Sequence, residues 1–260
     1  MGLSQYVVFG NNPIVNIDPN GDIIYAYVQR KVSEGGPIKV HYGYTAQGGY
    51  GFYDQHGQMY QGNDKFIREL NNSLGRTGLT PTGRSLVDGL MDRSEDITIH
   101  QQKSGEAPKT SGGDILWNAG FTQAGFDTEG KQFTPPWLIL AHEMGHVKAN
   151  LDGEKYPDGK WESWGGEGIG QAAWSEILAT HIENKLRSEN GMALREYYGV
   201  ERDPNDGRNY PATSTRLING TKSVYMDKDQ KPHYKGLGKS QEPYDYKNNR
   251  VGDKQIFSPS

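Results

Sequence analysis

Residues 141–146 read Ala-His-Glu-Met-Gly-His, two histidines four apart with a glutamate directly after the first. On a helix, residues four apart lie one above the other, so two imidazoles can reach one ion. The glutamate is then turned about 100° aside, towards the position the ion leaves open. Neutral histidines suit zinc, which lowers the pKa of its water towards about 7, and a glutamate so placed takes the proton. His142 and His146 are therefore candidate metal ligands and Glu143 the candidate general base. The alternative is a solvated helix carrying two surface histidines. Short motifs arise by chance, so the reading turns on what positions these residues.

Thr134-Pro135-Pro136 marks a helix start, with Thr134 as cap and proline in the first turn, and Gly153 marks its end. Between them Leu140, Met144, Val147 and Leu151 form one apolar stripe, and His142 and His146 point to nearly the opposite side. A catalytic zinc needs a third protein ligand, for which three positions qualify. Asp152 stands where an HExxHxxGxxH/D pattern ends, but Ala149 occupies the place of the glycine that breaks the helix there. The other two share a second helix, within residues 170–190 and stopped by Gly191. His181 falls with Trp174, Ile177 and Leu178 on an apolar stripe, as a core histidine does. Glu176, Thr180 and Glu183 share the opposite stripe, which makes Glu176 the better ligand and Thr180 and Glu183 candidates to support the site from behind. His41, His56, His100 and His233 have no metal-ligand spacing.

The chain has 260 residues, a net charge of −4, 35 glycines, 33% apolar residues and no cysteine. No basic stripe marks a nucleic-acid binder, disulfides and thiolate sites are excluded, and no apolar run is long enough to span a bilayer. Short strands are expected within residues 23–60, and helices in "NDKFIRELNNSLG", capped by Asn63 and stopped by Gly75, and in "TPTGRSLVDGLMDR". "DITIHQQ" and "GDILWN" read as further strands. The second, Asp114, Ile115, Leu116, Trp117 and Asn118, is expected to be the edge against which substrate backbone pairs. Tyr197 and Tyr198 are candidate hydrogen-bond donors to an oxyanion.

Two stretches resemble known families. Gly10-Asn11-Asn12-Pro13 followed by Asp18-Pro19-Asn20-Gly21 resembles the closing motif of the Rhs/YD-repeat core, which in that family precedes a variable C-terminal toxin domain. The resemblance implies a C-terminal piece of a longer polypeptide, whose native start need not be Met1, with an upstream Rhs shell and a cognate immunity protein as partners. "HEMGH" followed by "SEILAT" is similar to the gluzincin arrangement. There a glutamate on a second helix completes the zinc site and the residue four further on, here Thr180, steadies a ligating histidine. "LAHEMGH" with "ENKLRSENGMALREYYG" resembles the NleD-type effector metallopeptidases over roughly residues 50–200. Carried over by position, the ligands of one zinc ion are His142, His146 and Glu176, and the base is Glu143. Ser175 stands where a second acid is usual.

The expectation is an α+β, zincin-like fold, a small mixed or antiparallel sheet packed on the HExxH helix and a second, ligand-bearing helix. Its parts are 1–22 (end of an Rhs core), 23–60 (β-rich lead-in), 61–200 (peptidase domain) and 201–260 (polar extension). The expected function is a monomeric zinc endopeptidase toxin that cuts a protein of a target cell. Since "MGLSQYVVFG" has neither the basic end nor the apolar centre of a signal peptide, delivery is expected through a secretion apparatus. A zinc hydrolase of a non-peptide amide, and a non-catalytic plug of an Rhs assembly, are the alternatives.

Overall fold

The computed structural model describes residues 24–28, 36–44, 50–122, 125–154, 160–164, 170–223 and 244–248. The paired turn motifs of residues 10–21 and His233 lie outside them. The elements in chain order are β1 (Ile24–Val28), β2 (Ile38–Tyr44), β3 (Tyr50–Tyr53), α1 (Lys65–Thr77), α2 (Pro81–Met91), β4 (Ile97–Gln101), β5 (Lys109–Ser111) and β6 (Asp114–Trp117). Then follow α3 (Pro136–Leu151), β7 (Lys160–Trp164), β8 (Gly170–Ala173), α4 (Ser175–Glu189) and the short strands β9 (Val200–Arg202), β10 (Asn209–Pro211), β11 (Ile218–Asn219) and β12 (Lys222–Ser223).

The architecture is α+β, with a six-stranded mixed sheet in the order β3-β2-β1-β4-β6-β5. β1 pairs parallel with β4 and β4 with β6, whereas β2, β3 and β5 run antiparallel to their neighbours. The strands of 23–60 thus make half of the same sheet that carries β4 and β6. Strand side chains alternate between faces, and one face is apolar: Ile24, Ala26, Val28, Ile97, Ile99, Ile115 and Trp117 are buried under the helices. The other face carries Tyr27 stacked on His100 and the Lys39 ammonium over the Tyr25 ring.

α1 begins one residue later than expected, because Asp64, not Asn63, accepts the Ile67 amide, and it runs through Gly75 to Gly78. Gly75 keeps a helical φ there, and only its flexibility argues against a helix interior. Thr80 caps α2 as the Pro81 start implies. Residues 170–173 pair with β7 as strand β8, so the second helix starts at Ser175.

α3 packs against α4, α1, α2 and the β5–β6 end of the sheet. Its burial therefore reaches round the whole helix, from Leu138 and Leu140 to His142, Glu143 and Met144. The reading of an apolar stripe with polar residues opposite is corrected here: the histidine side faces α4. Gly145 permits that approach, since a Cβ there would lie 3.1 Å from Ile182 Cδ1 and 3.4 Å from Ala179 Cα. Thr134 does not cap α3; its hydroxyl accepts a hydrogen bond from Arg187 Nη2 at 2.7 Å.

Candidate metal centre

Two helices supply the donors. His142 and His146 sit one turn apart on α3, their rings 5.0 Å apart and nearly perpendicular. Glu176 lies in the first turn of α4, where the helix dipole favours a carboxylate. One Glu176 oxygen is 3.1 Å from His142 Nε2 and 3.2 Å from His146 Nε2. The three donor atoms lie within 4.8 Å of one another, close enough for one cation. Two imidazole nitrogens and a carboxylate oxygen suit zinc, and three protein ligands leave a position open for chemistry.

Behind the donors lies a buried charge network. Glu183, 1% exposed, takes His142 Nδ1 at 3.2 Å and Arg195 Nη1 at 2.9 Å on one oxygen, and Arg187 Nε at 2.8 Å on the other. Arg187 continues to Thr134 and the Ala193 carbonyl, and Arg195 to the Tyr198 carbonyl. Burial opposes the charge of Glu183, but Arg195 and Arg187 overcome it and hold the carboxyl well below its ordinary range. A carboxylate on Nδ1 keeps a proton there, so that Nε2, on giving up its own proton, presents its lone pair to the centre. Burial also opposes a charge on His142, yet its hydrogen bonds to Glu176 and Glu183 push its pKa up to about 9. Glu176 itself is held low by the two histidines, against its own burial.

Glu143 is buried, and one of its carboxylate oxygens accepts the Thr110 hydroxyl at 2.7 Å. A cleft of about 480 Å³ runs past these groups, with Pro108, Lys109, Thr110 and Gly112 on the β5 side and Ala149, Asn150 and Glu154 along the far end of α3. Tyr198 lines it too. Burial and then the charge of Glu176 raise the Tyr198 phenol well above its ordinary value, so near neutral pH it is a donor, hydrogen-bonded to Glu176.

The structure thus brings together His142, Glu143, His146, Glu176, Glu183 and Tyr198. Tyr197 does not line the cleft and packs against Arg216. Thr180 is fully buried with its hydroxyl unpartnered among the described residues, and Glu183, one turn further on, is the residue that meets His142. Asp152 is turned away to Arg93 and Lys148.

Residues 114–118 are not an edge, because β6 is paired on both sides and β5 is the outer strand. Asp114 meets His100; Ile115 and Trp117 are core; Leu116 pairs across to Lys109; Asn118 braces the carbonyls of Lys103 and Glu106. None of the five lines the cleft.

Sequence reasoning missed Thr110, Arg187 and Arg195. Arg187 had a signal, its i,i+4 spacing from Glu183. Thr110 had none, because a three-residue strand with Lys109 and Ser111 exposed shows no period.

A helix pair converges two histidines and a glutamate beside a second glutamate on an α+β scaffold, a cluster close enough to hold a metal ion. A family model described as "Effector protein", the peptidase M91 family, matches residues 54–198, more than half of the chain. The chain belongs to this family of effector peptidases, and both site helices fall within the match. Comparison with curated proteins and with solved structures gives no significant match.

Proposed function

We propose that this effector peptidase is a zinc-dependent endopeptidase, with His142, His146 and Glu176 as ligands and Glu143 as general base. The observation that carries the reading is the convergence of those three donor atoms within 4.8 Å on two packed helices, with Glu143 buried directly beside them. When bound, zinc supplies Lewis acidity, polarising the scissile carbonyl and making water acidic near neutral pH.

The chain's own residues do the rest. Glu143 accepts the proton of the attacking water and passes it to the leaving amine, which general catalysis of this kind makes about 10²–10⁴-fold faster. Tyr198, protonated at neutral pH, donates a hydrogen bond to the developing oxyanion. β5, the outer strand beside the cleft, pairs with an extended peptide by β-augmentation, in the role that the sequence reading gave to residues 114–118. Glu183 holds His142 in one tautomer.

The substrate is a protein of the cell into which the effector is delivered. Among the described residues no helix is long and apolar enough to cross a membrane. The motifs at residues 10–21 support carriage by an upstream Rhs shell, with an immunity protein guarding the producing cell.

Elemental analysis and a proteome-wide search for new N-termini test the reading together. The expected result is about one zinc per chain and cleavage that disappears in Glu143→Gln while zinc stays bound. Protein that takes up no zinc, or cleavage retained by Glu143→Gln, overturns it.

A further inference from the structure

We propose that Thr110 is a positioning residue for the general base, holding the Glu143 carboxylate in its working orientation from the edge strand of the cleft. The inference rests on the reading of Glu143 as base and goes beyond it. Thr110 is the middle residue of β5 and pairs with Ile115, whose side chain is fully buried, so the two side chains share the face turned to α3. Its hydroxyl lies 2.7 Å from one Glu143 carboxylate oxygen and 3.3 Å from the Glu143 carbonyl. A hydroxyl has one proton, and the shorter, charge-assisted contact takes it. Among the described residues, the other Glu143 oxygen takes no hydrogen bond.

A glutamate side chain has three torsions, and proton transfer requires placement within about 0.5 Å and 10–20°. Burial fixes the Glu143 stem in the helix interface but leaves the last torsion to whatever the carboxylate meets. Thr110 fixes that torsion. Because it stands on the strand beside the cleft, one element both lines the peptide's path and aims the base.

The test compares Thr110→Val, which keeps the shape and removes the hydroxyl, with Thr110→Ser, which keeps the hydroxyl. The valine variant is expected to lose about ten- to a hundredfold in kcat, with KM, zinc content and melting temperature unchanged, and serine is expected to restore most of the rate. In crystal structures of the two variants, Glu143 keeps a single carboxylate orientation with serine and spreads over several with valine. A single unchanged orientation in the valine variant overturns the proposal. So does full kcat in that variant, or a loss that serine does not restore and that follows the melting temperature. If the parent protein neither binds zinc nor cleaves, the reading of Glu143 as base fails instead, and the Glu143 orientation in the two crystals still decides whether Thr110 positions it.

Discussion

His142 and His181 are both deeply buried, on opposite sides of α4, and their surroundings shift their pKa values in opposite directions. His142 faces α4 from α3 and has a carboxylate on each nitrogen, Glu176 and Glu183, which lift its pKa to about 9 against its burial. His181 projects about 140° round α4 from Glu176 by helical phase. It meets Tyr246, whose hydroxyl is 2.8 Å from Nδ1, and the ring of Tyr244. There burial, helped by the nearby Lys185 charge, pushes its pKa down to about 3. Similar burial thus leaves one histidine whose protonated form is favoured and one whose protonated form is opposed, and the partners decide which. The first region brings three donor atoms close enough to hold a cation. The second is a neutral clamp, in which residues 244–248 lie against α4 through Tyr244, Tyr246 and the Ser188 hydroxyl on the Tyr246 carbonyl.

The sharpest way to break this comparison is to delete each imidazole in turn. His142→Phe is expected to abolish stoichiometric zinc binding and all cleavage, whereas His181→Phe keeps both, as measured by metal analysis and peptide hydrolysis.

Glu183→Ala removes the partner of two buried arginines and of His142. The expected loss is about 3–5 kcal/mol of stability in denaturant titration, from uncompensated buried charge. Zinc affinity is expected to fall about 10- to 100-fold in competition with a chelator. A variant with normal zinc affinity would make Glu183 a packing charge and remove the functional half of the contrast.

Acid sharpens the second half. The pKa of His181 is near 6.5 unfolded and about 3 folded, so between those values the unfolded chain binds the extra proton. This contribution to stability is therefore complete above pH 6.5 and is lost as pH falls towards 3. Among the described residues, the groups facing the ring are Tyr244, Tyr246 and Lys185, none of which supplies a negative charge to oppose the change. At pH 7.5, His181→Phe is expected to be about 1–3 kcal/mol less stable than the parent, because the Tyr246 hydroxyl loses its partner. The gap should close as pH falls below 6.5 in parallel denaturation curves, and a gap that widens in acid contradicts the assignment.

The smallest effect belongs to Tyr246→Phe. Losing one hydrogen bond should cost about 1 kcal/mol in thermal or chemical unfolding and leave zinc affinity where it was.

Much of the centre was legible because helical phase is a local property. Two histidines four apart, a glutamate beside the first, and Glu176 with Glu183 seven residues later on one stripe follow from a 3.6-residue turn alone. The same logic set His181 apart as a core residue. What phase does not say is what covers each side. α3 reads as half-polar, yet α4 and β5 close over its histidine face, so His142 and Glu143 are buried. The neighbours' polarity, not α3's own pattern, makes that burial stable. Thr180 shows the reverse: it lies on the right stripe, but at its level no described residue meets its hydroxyl, and Glu183 is the residue that reaches His142.

The sequence by itself determined the two site helices, the residues on their polar stripes and most strands, because side-chain period and turn residues act over a few neighbours. Only the tertiary structure decided which strand is the edge. It also brought Arg195 to Glu183 across the turn after α4, and Thr110 to Glu143 across 33 residues. Such contacts are set by how layers pack, and a three-residue strand or a lone arginine carries no local signal of it.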